Sequence, residues 1–113
     1  MATFTAVTET EFVEEIFATA DRHGIKTRIN KNGDRQIDFD NKSLTEDHLK
    51  RVFQDIVGKM GEYSRDDMDT LLGGSRPCAI APFFDLATKA GLAVRSEQDR
   101  KVVYRFKLSN RVS

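Results

Sequence analysis

Residues 64–108 read SRDDMDTLLGGSRPCAIAPFFDLATKAGLAVRSEQDRKVVYRFKL, and three periodicities follow one another along them in an order that few small folds use. Ser64 is a candidate N-cap with Asp67 three residues on, so a serine oxygen and an acid are placed to satisfy the free amides of a helix start. A short helix through Met68, Leu71 and Leu72 should follow, ended by Gly73-Gly74. Ser75 offers a second cap and Pro77 suits a first helical turn. Ile80, Phe83, Phe84 and Ala87 then recur at three- and four-residue spacing on one face, and Gly91 closes that helix.

After Gly91 the period falls to two. Leu92 and Val94 alternate with Ala93 and Arg95, the stretch from Ser96 to Arg100 is polar, and alternation then resumes. Neighbouring side chains of a strand point oppositely. Val102, Tyr104, Phe106 and Leu108 therefore share one face, and Lys101, Val103, Arg105 and Lys107 the other. The expectation is a two-stranded hairpin with one apolar and one basic face.

These residues resemble the winged helix-turn-helix superfamily. Residues 66–73 stand where that family has the helix before the turn, residues 80–90 where it has the helix after it, and residues 93–108 where it has the wing. The preceding helix that the family requires is found at residues 45–60. The resemblance covers about the C-terminal two thirds of the chain. It implies an α+β fold: a winged helix-turn-helix core over residues 43–113, with a helix and β-hairpin extension over residues 1–42, together forming one domain.

The resemblance also implies double-stranded DNA as the partner, with the helix after Gly74 in the major groove and the hairpin on phosphates or in the minor groove. The residues placed to make those contacts are Ser75, Arg76, Thr88 and Lys89 on the helix, with Arg95, Arg100, Lys101, Arg105 and Lys107 on the wing. Arginine suits bidentate contact with guanine or phosphate, and lysine serves as a phosphate contact. The sequence departs from the family's DNA-reading pattern in two ways. Pro82 falls inside the presumed recognition helix, where it removes an amide and should kink or restart the helix. Cys78, Ala79, Ala81 and Pro82 also make the early part of that helix small and poor in hydrogen-bonding groups.

Charge and composition frame these readings. Eighteen basic and eighteen acidic side chains cancel over 113 residues, so no global field draws the chain to nucleic acid or membrane. The halves differ: residues 1–63 carry nine Lys/Arg against twelve Asp/Glu, and residues 64–113 carry nine against six. The single cysteine, Cys78, rules out an internal disulfide and fits a reducing compartment. No eighteen-residue apolar run and no secretory pattern at residues 1–7 are found, so a cytoplasmic or nucleoid-associated protein, without a membrane partner, is expected.

Upstream, Thr8 with Glu11 makes a capping box, and Phe12, Val13, Ile16, Phe17 and Ala20 fall on one helical face that Gly24 should end. Glu9, Glu11, Glu14 and Glu15 load its first turns with negative charge, either as a solvated face favoured by the helix dipole or as an acidic face for a partner. Ile25, Thr27 and Ile29 alternate with polar residues, and so do Ile37 and Phe39 after Asn32-Gly33, which predicts a hairpin. The spacing of Asn30, Asn32 and Asp34 is that of a calcium loop's start. It fails at Arg35, where glycine is needed, and at Asn41, where a bidentate glutamate is needed. Ser43 with Glu46, or Thr45 with His48, can cap the next helix, whose apolar face is Leu49, Val52, Phe53, Ile56, Val57 and Met60. The N-terminal helix and hairpin pack on this helix, or else keep an apolar face that a second chain covers in a homodimer.

Catalysis finds little support. His23 and His48 have no cysteine or second histidine at ligand spacing, and Asp66, Asp67 and Asp69 are explained by a helix start. No serine nucleophile has a base beside it in sequence, and no glycine-rich phosphate loop is present. Cys78 near a helix start could have an activated thiol, but a small buried side chain is the commoner outcome. No catalytic residue, metal or cofactor is expected. Two readings remain. One is a small DNA-binding regulator. The other is a protein-interaction module or inhibitor, docking through the same fold on a nucleic-acid-processing protein such as a polymerase or nuclease.

Overall fold

Helix ends set most of this architecture, which a computed structural model describes for residues 8–39, 42–74 and 77–106. Three helices begin in reciprocal capping boxes. Thr8 and Glu11 open α1 (Glu9–Arg22), Thr45 and His48 open α2 (Glu46–Gly58), and Ser64 and Asp67 open α3 (Arg65–Leu71). Each box satisfies two amides that the first helical turn leaves free. His48 is the unusual member: its Nδ1 accepts the Thr45 N–H at 3.0 Å, doing the work ordinarily done by a glutamate.

At the other ends the chain turns through the left-handed region, and two backbone bonds close each helix. Gly91, at φ +77°, ends α4 (Pro77–Lys89) in this way: its N–H reaches Thr88 C=O and the Leu92 N–H reaches Ala87 C=O, each at 3.0 Å. The same bonds end α2, but there Met60, at φ +59°, occupies the place glycine usually takes. Gly58 and Gly61 flank that turn and mark a break in the sequence pattern, but Met60, expected on the apolar face of the helix, lies beyond its end and is 87 % exposed.

Among the described residues, six short strands in two antiparallel sheets lie between the helices. β1 (Lys26–Ile29), β2 (Arg35–Asp38) and β3 (Ser43–Thr45) form the first, in that order. β4 (Glu62–Tyr63), β5 (Ala93–Gln98) and β6 (Lys101–Phe106) form the second, in the order β4-β6-β5. The expected N-terminal hairpin is thus two strands of a three-stranded sheet. Its loop runs from Asn30 to Asp34 and is organised by Asn30, whose Oδ1 accepts the N–H groups of Asn32 and Asp34 at 2.9 and 3.1 Å. The Asn/Asp spacing shared with a calcium loop's start therefore makes a turn.

One cluster of buried side chains joins all four helices to both sheets. Phe12 of α1 lies 5.1 Å from Phe53 of α2 and 6.2 Å from both Phe83 of α4 and Phe106 of β6, centroid to centroid. The apolar face of α1, from Phe12 to Ala20, is accordingly covered within the chain and is not left for a second copy. Burial of each such large side chain is worth about 1.5–3 kcal/mol, so α1 is a core element instead of an appendage. Arg35 fastens β2 to both flanking helices: it forks onto Glu14, approaches Glu46 at 3.5 Å and lies 4.5 Å above the Phe17 ring.

Two expectations for the C-terminal half are corrected. Pro82 is an interior residue of α4, which continues past it as one helix, so the expected restart does not occur. Its ring fixes a φ that a helix accepts, so the chain stays helical through Lys89 despite the lost amide bond and the crowding of the carbonyl four residues back. The apolar alternation after Gly91 also starts one residue later than the sequence indicates. Leu92 and Ala93 are both buried, while Val94 is 56 % exposed. The reason is the helix end: Leu92 still donates back into α4, so strand geometry begins only at Ala93.

Candidate nucleic-acid interface

β5 and β6 pair without a break from Ala93–Phe106 at the base to Gln98–Lys101 at the tip, and two residues, Asp99 and Arg100, make the turn. Both have positive φ, +50° and +68°, as a twist-matched two-residue hairpin turn requires. The polar run from Ser96 to Arg100, expected as a break, is therefore mostly strand. Arg100 is held at the tip, with Lys101 next to it.

Strand alternation then separates cations that the sequence had grouped. Tyr63, Tyr104 and Phe106 point toward the core, and Arg95, opposite Tyr104, lies on that same side of the sheet. Lys101, Val103 and Arg105 take the other side, with Glu62 of β4 directly opposite Arg105. The Arg105 Nε is 3.8 Å from a Glu62 carboxylate oxygen. A basic outer face is thus present, but at its base one of its charges is answered.

On α4 the expected contacts are likewise engaged within the chain. Thr88 Oγ1 donates to the Phe84 carbonyl at 2.8 Å, and Lys89 Nζ pairs with Asp85 at 2.9 Å one turn back. The solvent side of the helix over its described side chains shows Ala81, Asp85, Thr88 and Lys89. Ser75, Arg76 and Lys107 lie outside the described residues, as does the side chain of Cys78. Arg95, Arg100 and Lys101 remain, and none makes an ion pair with a described residue.

Two of those three, Arg95 from one side of the sheet and Lys101 from the other, are among the residues that line a cleft of about 610 Å³ at the hairpin and the start of α3, together with Arg65, Asp66, Asp67 and Glu62. Arg65 was not singled out in the sequence, because only the β4–β6 pairing brings the start of α3 under the hairpin. Glu62 was missed for the same reason. Asp85 was legible, since it stands four residues before Lys89.

A polar anchor sets the floor of this region. The Tyr63 hydroxyl, on a fully buried side chain, donates to Asp55 of α2 at 2.6 Å and ties β4 to that helix. Burial pushes that hydroxyl's pKa well up, and the neighbouring Asp55 carboxylate adds to the effect. Among the described residues no three His, Cys, Asp or Glu side chains gather as metal ligands would, and no helix is long and apolar enough to cross a membrane. Comparison with protein-family models, with curated proteins and with solved structures finds no match to this chain.

Proposed function

We propose that α2, β4, α3, α4 and the β5–β6 hairpin form a winged helix and that the chain is a small, non-enzymatic DNA-binding regulator whose contact with the duplex is led by the wing. The observation that carries this reading is the set Arg95, Arg100 and Lys101, three cations on one hairpin without an ion partner among the described residues. Such groups neutralise phosphate and release counterions, which supplies affinity without base reading. The helix contributes less: Asp85 sits on its solvent side, Lys89 is tied to that acid, and alanine offers bases no hydrogen bond. Binding should therefore be weakly dependent on sequence. Charge reversal at the tip, Arg100→Glu with Lys101→Glu, tests it: duplex affinity is expected to fall at least tenfold, and unchanged affinity would remove the wing from the interface.

A second reading rests on Asp85. An acid in the middle of the exposed α4 face repels phosphate but suits a mixed-charge protein surface. Under this reading the chain docks on a nucleic-acid-processing protein. Asp85→Lys discriminates the two, because it strengthens DNA binding in the first case and weakens partner capture in the second.

A further inference from the structure

β5 is terminal in the order β4-β6-β5, so among the described residues one of its edges has no neighbouring strand. The register tells which backbone groups point there. Phe106 donates its N–H to Gly61 C=O at 2.8 Å, on the side away from β5. Its opposite residue is Ala93, so that pair exchanges no hydrogen bonds and Ala93 turns its own N–H and C=O outward. Alternation places the N–H and C=O of Arg95 and Glu97 outward as well. The tip agrees, since a two-residue turn makes Gln98–Lys101 a hydrogen-bonded pair and Glu97–Val102 a non-bonded one.

Exposed edges of this length are ordinarily guarded by lysine, proline or a bulge. β1, terminal in the other sheet, carries Lys26 and Arg28 and would meet like charge in a second copy of itself. β5 has no lysine, proline or bulge; the charges it does carry, Arg95 and Glu97, are of opposite sign, so they do not repel a second copy of the same strand as β1's would.

We propose that β5 pairs antiparallel with β5 of a second copy of this chain, about a two-fold axis through Ser96. In that register Arg95 of each copy stands opposite Glu97 of the other, on the same face, and these are the residues whose backbone groups point outward. Four inter-chain backbone hydrogen bonds and two opposed charge pairs form together. An axis through Arg95 would set arginine against arginine, and one through Glu97 would set glutamate against glutamate, both unfavourable. An axis through Val94 leaves Glu97 beyond the end of the pairing. The surface is thus self-complementary in one register, as a two-fold interface requires. The product is a six-stranded sheet that keeps Arg100 and Lys101 at the hairpin tips for phosphate and takes Arg95 out of the phosphate-facing set; the pairing itself rests on the strand order and register alone.

Sedimentation equilibrium over a concentration series tests it with three proteins. The native chain should approach twice its 12.8 kDa mass at high concentration. Glu97→Arg, which sets arginine against arginine, should raise the dissociation constant roughly tenfold or more. The swap Arg95→Glu with Glu97→Arg restores both opposed pairs and should restore the dimer. A native chain that stays at 12.8 kDa throughout, a Glu97→Arg variant that dimerises unchanged, or a swap that fails to recover would each overturn the assignment.

Discussion

Arg105 and Glu62 face each other across the β4–β6 pair, Nε to carboxylate at 3.8 Å, with both side chains more than half exposed. In that setting the pair is worth little to stability, about 0–1 kcal/mol. Its consequence is electrostatic, because it cancels a charge at the base of a face that would otherwise be uniformly basic. Glu62→Gln should therefore raise duplex affinity about two- to fivefold and steepen the salt dependence, with the thermal midpoint nearly unchanged. Anisotropy titrations of the two proteins measure this, and equal affinities would place Arg105 away from the nucleic acid.

Arg100 sits at φ +68°, where glycine is preferred over any residue with a side chain. Arg100→Gly is predicted to raise stability by about 1 kcal/mol through the relieved turn. The same change should lower DNA affinity. Denaturant melts and binding titrations on one preparation check both halves, and a gain in stability without loss of binding would separate Arg100 from the interface.

Phe12 touches rings of α2, α4 and β6 at once. Phe12→Ala should cost about 3–5 kcal/mol in urea unfolding, as for a large ring removed from a close-packed core. A loss below about 1 kcal/mol, the range of an ordinary surface substitution, would return α1 to the status of an appendage.

The Tyr63–Asp55 bond carries an alkaline prediction. Tyr63 is held protonated in the fold above its ordinary value of 10.0, so its contribution is complete below that value. As pH rises past 10.0 the unfolded chain loses this proton while the folded chain keeps it, and stability falls. Tyr63→Phe should remove that part of the alkaline decline and cost about 1–2 kcal/mol at neutral pH through the lost charged hydrogen bond. An alkaline limb identical in the two proteins would contradict the bond.

On the acid side the sign reverses. The Arg35 guanidinium holds the Glu14 carboxyl below its ordinary 4.5, and Gln36, with Arg28, holds Asp38 below its ordinary 3.8. Their contribution is full above those values and is lost as pH falls through the lowered ones. Glu14→Gln with Asp38→Asn should flatten the acid limb of a stability-against-pH curve, although both groups are exposed enough for screening to keep the effect modest.

Local chemistry was the legible part of this chain. Thr8 and Ser64, each with its partner three residues on, announced two helices and their caps form as written; for α2 the sequence left Ser43 and Thr45 open, and the cap is Thr45 while Ser43 starts β3. β3 and β4 were illegible because strands of three and two residues have no period of their own; they exist through β2 and β6, which supply their partners from elsewhere in the chain. For the same reason the basic character of the hairpin was overestimated. Arg105 reads as a free cation until Glu62, more than forty residues earlier, is placed opposite it. Thr88 and Lys89 show the other limit: their partners Phe84 and Asp85 are one helical turn away, and spacing alone could have found them.

The salt dependence of binding to a labelled random-sequence duplex tests the central proposal most directly. Arg100 and Lys101 meeting phosphate, joined by Arg95 where the chain is a monomer, predict binding at low salt that weakens linearly in log salt, with a slope of about −2 to −3 per chain. No binding at the lowest salt, or binding indifferent to salt, would contradict the wing-led contact and leave the protein-docking reading in its place.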